Sequence, residues 1–262
     1  MDGKYHDLQT MIRRALMAQA ELGVGELVLK ARRAADSRAT AAAIEESSRV
    51  VTVQQALMAK HEKQEPVQDS LGISWNASYA GLAEHREAIC NCHDCPLGET
   101  RNKFVYGTGS PHAEIMFVGE APGADEDRLG EPFVGRAGQL LDKILAAMKL
   151  TRQEVYIANI LKCRPPGNRD PQPDEMDKCF PHLREQIRLI KPKLLCALGR
   201  IAAQAMLKTT TPLGKLRGQW HEFENIPLIV TYHPAALLRF PEYKKGTWED
   251  MQRLMARHEQ MK

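Results

Sequence analysis

The chain has 262 residues, 43% of them hydrophobic and 26% charged, with 36 Lys and Arg against 33 Asp and Glu. The formal net charge of +3 excludes a histone-like polycation, and no stretch approaches the ~20 apolar residues that cross a bilayer. The composition is that of a soluble globular protein with one ordinary domain and an appendage. Residues 1–7 lack the basic-then-apolar pattern of a secretory leader, so the expected location is the cytoplasm. Six cysteines there read as ligands or core residues before they read as disulfides.

In chain order, residues 5–61 are low in glycine and carry apolar side chains at helical spacing (Leu8, Met11, Ile12, Leu16; Val50, Val53, Leu57, Met58). Ten basic side chains balance ten acidic ones over residues 1–75, so the whole positive excess lies beyond them. The expectation is a helical extension or a partly disordered tail, with binding of a repair or replication protein as its functional alternative. Residues 62–75 are polar, contain Pro66 and Gly72, and read as a linker.

From about residue 76 strands and helices alternate. Apolar runs at 115–119, 155–161, 194–199 and 226–232 read as four buried strands. Helical periodicity covers 140–150, 174–190, 200–208 and about 247–260, with Pro173 starting the second of these and Pro192 stopping it. This alternation predicts an α/β fold, a three-layer α/β/α sandwich around a central, mostly parallel four-stranded sheet over residues 76–262. In such sheets ligands bind beyond the carboxyl ends of the strands, and Gly119-Glu120, Asn159 and His233 fall there.

Cys92-x2-Cys95, Cys163 and Cys179 form a set of four, the last two separated by fifteen residues. Four thiolates hold structural zinc or an iron–sulfur cluster, and spacing leaves both open. Cys196 lies inside an apolar run and reads as core. Cys90 reads as a spare thiol.

Three stretches around the strand ends carry candidate chemistry. Gly119-Glu120-Ala121-Pro122-Gly123 leaves a strand in a sharp turn that lets backbone N–H groups approach a ligand. It is followed by Asp125-Glu126-Asp127, which reads as a solvated loop. Phe133 lies between Pro132 and Gly135, an aromatic on a loop that can stack on a flat ring. Asn159 is polar inside an apolar run; its amide matches a planar edge offering one donor and one acceptor. His233 opens the run HPAALLR, where a histidine can donate to a developing anion, with Leu237 as an apolar tip and Arg239 for a phosphate.

Together the Cys pair, GEAPGADED, PFVGRAGQLL, NILKCRPPGNRDPQPDE and YHPAALLR resemble the family 4 (iron–sulfur) uracil-DNA glycosylases, in that family's order, over about residues 80–262. The resemblance implies a monomeric DNA-repair hydrolase that flips deoxyuridine out of DNA and releases uracil, leaving an abasic site. It implies that Cys92, Cys95, Cys163 and Cys179 hold a structural [4Fe-4S] cluster. It further implies that Phe133 stacks on uracil, Asn159 reads its Watson–Crick edge, Gly119, Glu120 and Ala121 line the pocket, and His233 faces uracil O2. Elsewhere in the superfamily a water-positioning Asp stands where this chain has Ala121; Glu126 and Glu120 are the nearest carboxylates. Residues 164–178 contain no histidine and no basic insert of the kind a related branch uses to trap DNA, so hydrolytic turnover is expected. The alternatives are a non-catalytic iron–sulfur DNA-binding protein on the same fold and a zinc-stabilised nucleotide-binding protein. The first leaves Phe133, Asn159 and His233 without a task; the second lacks a phosphate-loop lysine pattern.

Overall fold

The computed structural model describes residues 79–262. The helical spacing at 5–61 and the linker at 62–75 lie outside the described residues.

The described chain begins with two helices, α1 (Leu82–Ile89) and α2 (Leu97–Thr100), followed by strands β1 (Thr108–Gly109) and β2 (Ile115–Gly119). Helices α3 (Ala124–Leu129) and α4 (Arg136–Ala147) lead to β3 (Tyr156–Asn159), a short 3-10 turn at Pro166–Asn168, and α5 (Pro173–Ile190). Then come β4 (Leu194–Leu198), α6 (Arg200–Leu207), α7 (Leu213–Leu216), β5 (Trp220–Phe223), β6 (Ile226–Thr231), α8 (Pro234–Arg239) and α9 (Tyr243–Glu259). No helix among the described residues is long and apolar enough to cross a membrane.

The sheet has six strands in the order β1-β3-β2-β4-β6-β5. The four apolar runs form its parallel centre, β3-β2-β4-β6. Two short antiparallel strands, β1 and β5, extend the expected four-stranded sheet at its edges. Neither has an apolar run: β1 is two residues long, and Trp220-His221-Glu222 of β5 is only half-covered or exposed. β5 enters β6 through Glu224 and Asn225, both at positive φ (50° and 66°), as a two-residue hairpin with right-handed strand twist requires.

Successive strand side chains point to opposite faces, so each apolar strand feeds two cores. Met116, Val118, Ala158, Leu195, Ala197 and Val230 pack with Leu183 and Ile187 of α5 and Ala202 and Met206 of α6. Ile115, Phe117, Ile157, Cys196 and Ile229 pack with Leu141 and Leu145 of α4 and Met251 and Leu254 of α9. This is the α/β/α sandwich, and it puts Cys196 in the second core, as its apolar run implied.

Helix ends follow local chemistry. α5 opens on Pro173, and the Glu175 carboxylate accepts the Gln172 N–H at 2.8 Å. Arg169 grips the same carboxylate through both terminal nitrogens, at 2.9 and 2.6 Å. The helix stops at Lys191, whose φ is +54°, just before Pro192. α4 begins four residues before its periodic stretch because Gly135 supplies the extended N-cap. α9 likewise begins at Tyr243, ahead of the stretch expected from about 247. Its first turn holds Lys244, Lys245 and Gly246, which dilute the apolar period.

Candidate functional site

β3 lies on one side of β2 and β4 on the other, so chain direction switches beside the carboxyl end of β2. Gly119 closes β2 and is in register with Asn159, which closes β3. A Cβ at Gly119 would overlap Asn159 Oδ1 and lie 2.6 Å from Phe133 Cζ, so the glycine lets these two side chains close together on the strand end. Asn159 is 2% exposed, and its Oδ1 is buried with no hydrogen-bond partner among the described residues. An unsatisfied buried acceptor costs about 1–3 kcal/mol, which marks it as a group kept for something other than folding.

Phe133 is 5% exposed and has φ +54°, a strained backbone for a bulky residue. Three features hold it there. Arg152 donates to the Phe133 carbonyl at 3.0 Å and to the Pro132 carbonyl at 2.6 Å. Gly138, in the first turn of α4, has no Cβ to strike the Phe133 carbonyl. Glu126 Oε1 accepts the N–H groups of Val134 and Gly135, each at 2.9 Å, while its Oε2 accepts Gly123 N–H at 3.1 Å. Glu126 is thus a staple with both oxygens engaged. Its neighbour Asp127 is buried and accepts from the Asn102 backbone N–H at 2.8 Å and side-chain amide at 2.5 Å. The acidic run is therefore the first turn of α3 with two structural carboxylates, where the sequence suggested a solvated loop.

His233 follows β6 as the N-cap of α8, and its ring centroid lies 5.4 Å from that of Phe133. Gly199, at φ +93° after β4, makes the approach possible, since a Cβ there would sit 2.9 Å from His233 Cβ. His233 Nδ1 accepts the Ala235 N–H at 3.1 Å, which places the ring proton of the neutral form on Nε2. Burial pushes the imidazole pKa down to about 4, with Glu126 opposing and Arg239 reinforcing the shift. At neutral pH the ring is uncharged and offers Nε2–H as a donor.

Glu120 is half-buried beside the Arg200–Asp170 ion pair, itself 2.6 Å long. Burial first, then the Asp170 charge, raise its carboxyl to about 7, against the pull of Arg200. Ala121 is half-buried against the first core. In α8, Leu237 is 2% exposed and turned into the domain, whereas Leu238 is 41% exposed and Arg239 lies on the surface. One helical step of ~100° separates the two leucines, so the exposed apolar tip belongs to Leu238, not to Leu237 as expected.

The four cysteines converge. Cys92, Cys95, Cys163 and Cys179 line one cavity with Asp94, Gly98, Phe104 and Lys178. Arg101 donates to Cys163 Sγ at 3.4 Å and to the carbonyls of Cys92 and Cys90 at 2.6 and 3.3 Å. Cys90 itself turns its thiol to the Glu87 carbonyl at 3.4 Å. Cys92, Asp94 and His182 also bring one ligand atom each within 4.8 Å of one another.

Lys162 ties the cavity to the strand ends. It is 0% exposed; its Nζ donates to the Asn159 carbonyl at 2.7 Å and to Gln186 Oε1 at 2.6 Å, and its backbone N–H donates to Cys179 Sγ at 3.3 Å. Neither it nor Arg152 was among the candidate residues. The signal for Lys162 was a lone cation following the apolar run Ile160-Leu161; Arg152 had none.

Residues 106–252 match the model of the uracil DNA glycosylase superfamily. The chain is 44% identical over 174 residues to a type-4 uracil-DNA glycosylase of Archaeoglobus fulgidus, covering 63% of this chain and 87% of that protein. Similar relatives are type-4 uracil-DNA glycosylases of Pyrobaculum aerophilum (41% identical, 65% of this chain and 91% of the relative) and Sulfurisphaera tokodaii (42%, 66% and 83%). With most of the described domain inside the family match and these relatives covered over more than four fifths of their length, this chain belongs to the type-4 uracil-DNA glycosylase family.

Proposed function

We propose that this protein hydrolyses the N-glycosidic bond of deoxyuridine in DNA, releasing uracil and leaving an abasic site. The observation that carries the reading is the buried, unpartnered Asn159 Oδ1 beside Phe133, with the neutral His233 facing that ring. A flipped uracil presents a flat face for Phe133, an N3–H for Asn159 Oδ1 and an O2 for His233 Nε2–H. Backbone groups of Gly119, Glu120 and Ala121 would line the bound ring.

In the reaction the C1′–N1 bond breaks and its electron pair passes to the uracil ring, where His233 stabilises the charge at O2. Such donors are worth roughly 3–4 kcal/mol in comparable oxyanion sites. Water attacks C1′ and its proton passes to a carboxylate. Glu120 fits that task better than Glu126, because Glu126 has both oxygens tied to backbone N–H groups and Glu120, raised to about 7, is poised to take a proton near neutrality. Leu238 would enter the vacated stack and Arg239 would meet a phosphate.

The four cysteines suit a [4Fe-4S] cluster, since all four line one cavity and two of the sulfurs already receive N–H donors. When bound, the cluster supplies a cross-link between the 92–95 loop, the exit of β3 and α5. Arg101 and Lys162 orient the sulfur ligands, and Lys162 carries the same frame to Asn159. The reading is tested by incubating the protein with a uracil-containing oligonucleotide and then with alkali. A strand cut at the uracil is expected; a strand left intact across a range of salt concentrations overturns it.

A further inference from the structure

His233 is preceded by Tyr232, and Tyr232 is clamped. The Arg217 guanidinium lies over its ring with Cζ 4.0 Å from the centroid. Tyr243, the first residue of α9, stacks on the same ring at 4.2 Å and an interplanar angle of 5°. A ring has two faces, so two partners at this distance occupy opposite ones. Phe240, exposed at the end of α8, leans on Tyr243 at 5.5 Å and carries the aromatic contact to the surface.

Arg217 is itself fixed. Its Nε and Nη2 donate to Asp250 Oδ2 at 2.9 and 2.6 Å, and Thr231 Oγ1 donates to the same oxygen at 2.8 Å. Asp250 is fully buried on α9, and Thr231 is the last residue of β6, two positions before His233. Gly246 in the first turn of α9 completes the seat, because a Cβ there would lie 2.7 Å from Arg217 Nη2. Glycine inside a helix costs about 1 kcal/mol relative to alanine, and here it makes room for a guanidinium. A buried carboxylate with an arginine is no efficient source of stability, since well-packed apolar groups do as well or better. What this arrangement supplies is a fixed position for residues 231–233.

We propose that Arg217, Tyr232 and Tyr243 are positioning residues, a stack seated on Asp250 that sets the place of the His233 ring and of α8 beyond it. The proposal rests on the role of His233 given above. A small displacement of a catalytic donor costs far more rate than binding, because the donor acts on charge that develops only in the transition state.

The test compares Tyr243→Leu, which removes the stack at a half-buried position, with Tyr243→Phe, which keeps it, in single-turnover excision from a uracil oligonucleotide. Tyr243→Leu is expected to slow excision on the order of 10-fold, with affinity for abasic-site DNA changed less than about twofold and Tyr243→Phe restoring the rate. Arg217→Lys, which keeps the charge for Asp250 but loses the planar stack, is expected to match Tyr243→Leu. In a His233→Asn background Tyr243→Leu should add less than about twofold, because both act through one group. Equal rates for Tyr243→Leu and Tyr243→Phe, or losses that multiply in the double variant, overturn the proposal. A rate loss in His233→Asn with none in Tyr243→Leu removes the stack alone. A wild-type rate in His233→Asn removes the role of His233 and the proposal with it.

Discussion

The strand-end site and the cysteine cavity are neighbours built on opposite principles. In the cavity two of the four sulfurs already receive donors: Arg101 caps one sulfur and two carbonyls, and Lys162 N–H reaches another sulfur. In the strand-end site polar groups are left short. Asn159 Oδ1 has no partner among the described residues, Phe133 sits at positive φ, and Glu120 is half-buried beside a second carboxylate. A site that must bind a polar ring holds its groups unsatisfied until the ring arrives, and it needs a stiff frame to do so. Lys162 joins the two, with Nζ on the Asn159 carbonyl and its own N–H on Cys179.

Damage to site and frame should therefore have different signatures. The largest effect on rate is expected from Asn159→Ala, which should slow uracil excision about 100- to 1,000-fold, as loss of a key transition-state or orienting group does. The unfolding midpoint should hold or rise, because an orphaned acceptor is removed while the backbone carbonyl used by Lys162 remains. A parallel fall in midpoint and rate would erase the distinction between the regions.

Cys179→Ser should act the other way round. Loss of one ligand of the proposed cluster is expected to cost about 3 kcal/mol or more of stability, hence a midpoint lower by roughly 6–12 °C. Iron content and visible absorbance should fall with it. Full stability with iron lost would show that the cavity does not serve as the frame.

The smallest and most pH-dependent effect belongs to Glu120→Gln. The Glu120 carboxyl is raised from the ordinary 4.5 to about 7, so the folded state binds its proton more tightly than the unfolded chain does. The resulting destabilisation is absent below about pH 4.5 and grows until about pH 7. The Gln variant should therefore melt higher than wild type at pH 8 and at the same temperature at pH 4. The wild-type excision rate should climb as pH passes through about 7, as the ionised carboxylate forms, and the variant should be slower without that climb. A climb that persists in Glu120→Gln assigns the water's proton to another group.

Much of this was written in local patterns. Four apolar runs became the four parallel strands because a strand buried on both faces is apolar at nearly every position, and helix limits followed Pro173, Pro192 and glycine. The cysteine set was legible because a ligand type at a distinctive spacing needs no fold to be noticed. β1 and β5 escaped because edge strands half-open to solvent carry no continuous apolar signal.

Residue types and order thus established the α/β alternation, the thiol set and the candidates at the strand ends. Tertiary contacts decided how each candidate is held there. They made Glu126 a staple and left Glu120 raised beside Asp170. They turned Leu237 inward and Leu238 out. They placed Arg152, Lys162 and Arg217 behind Phe133, Asn159 and Tyr232. The reason is physical: hydrophobic period and turn chemistry act between near neighbours in the chain, whereas desolvation, ion pairing and ring stacking depend on which distant segments the sheet brings together.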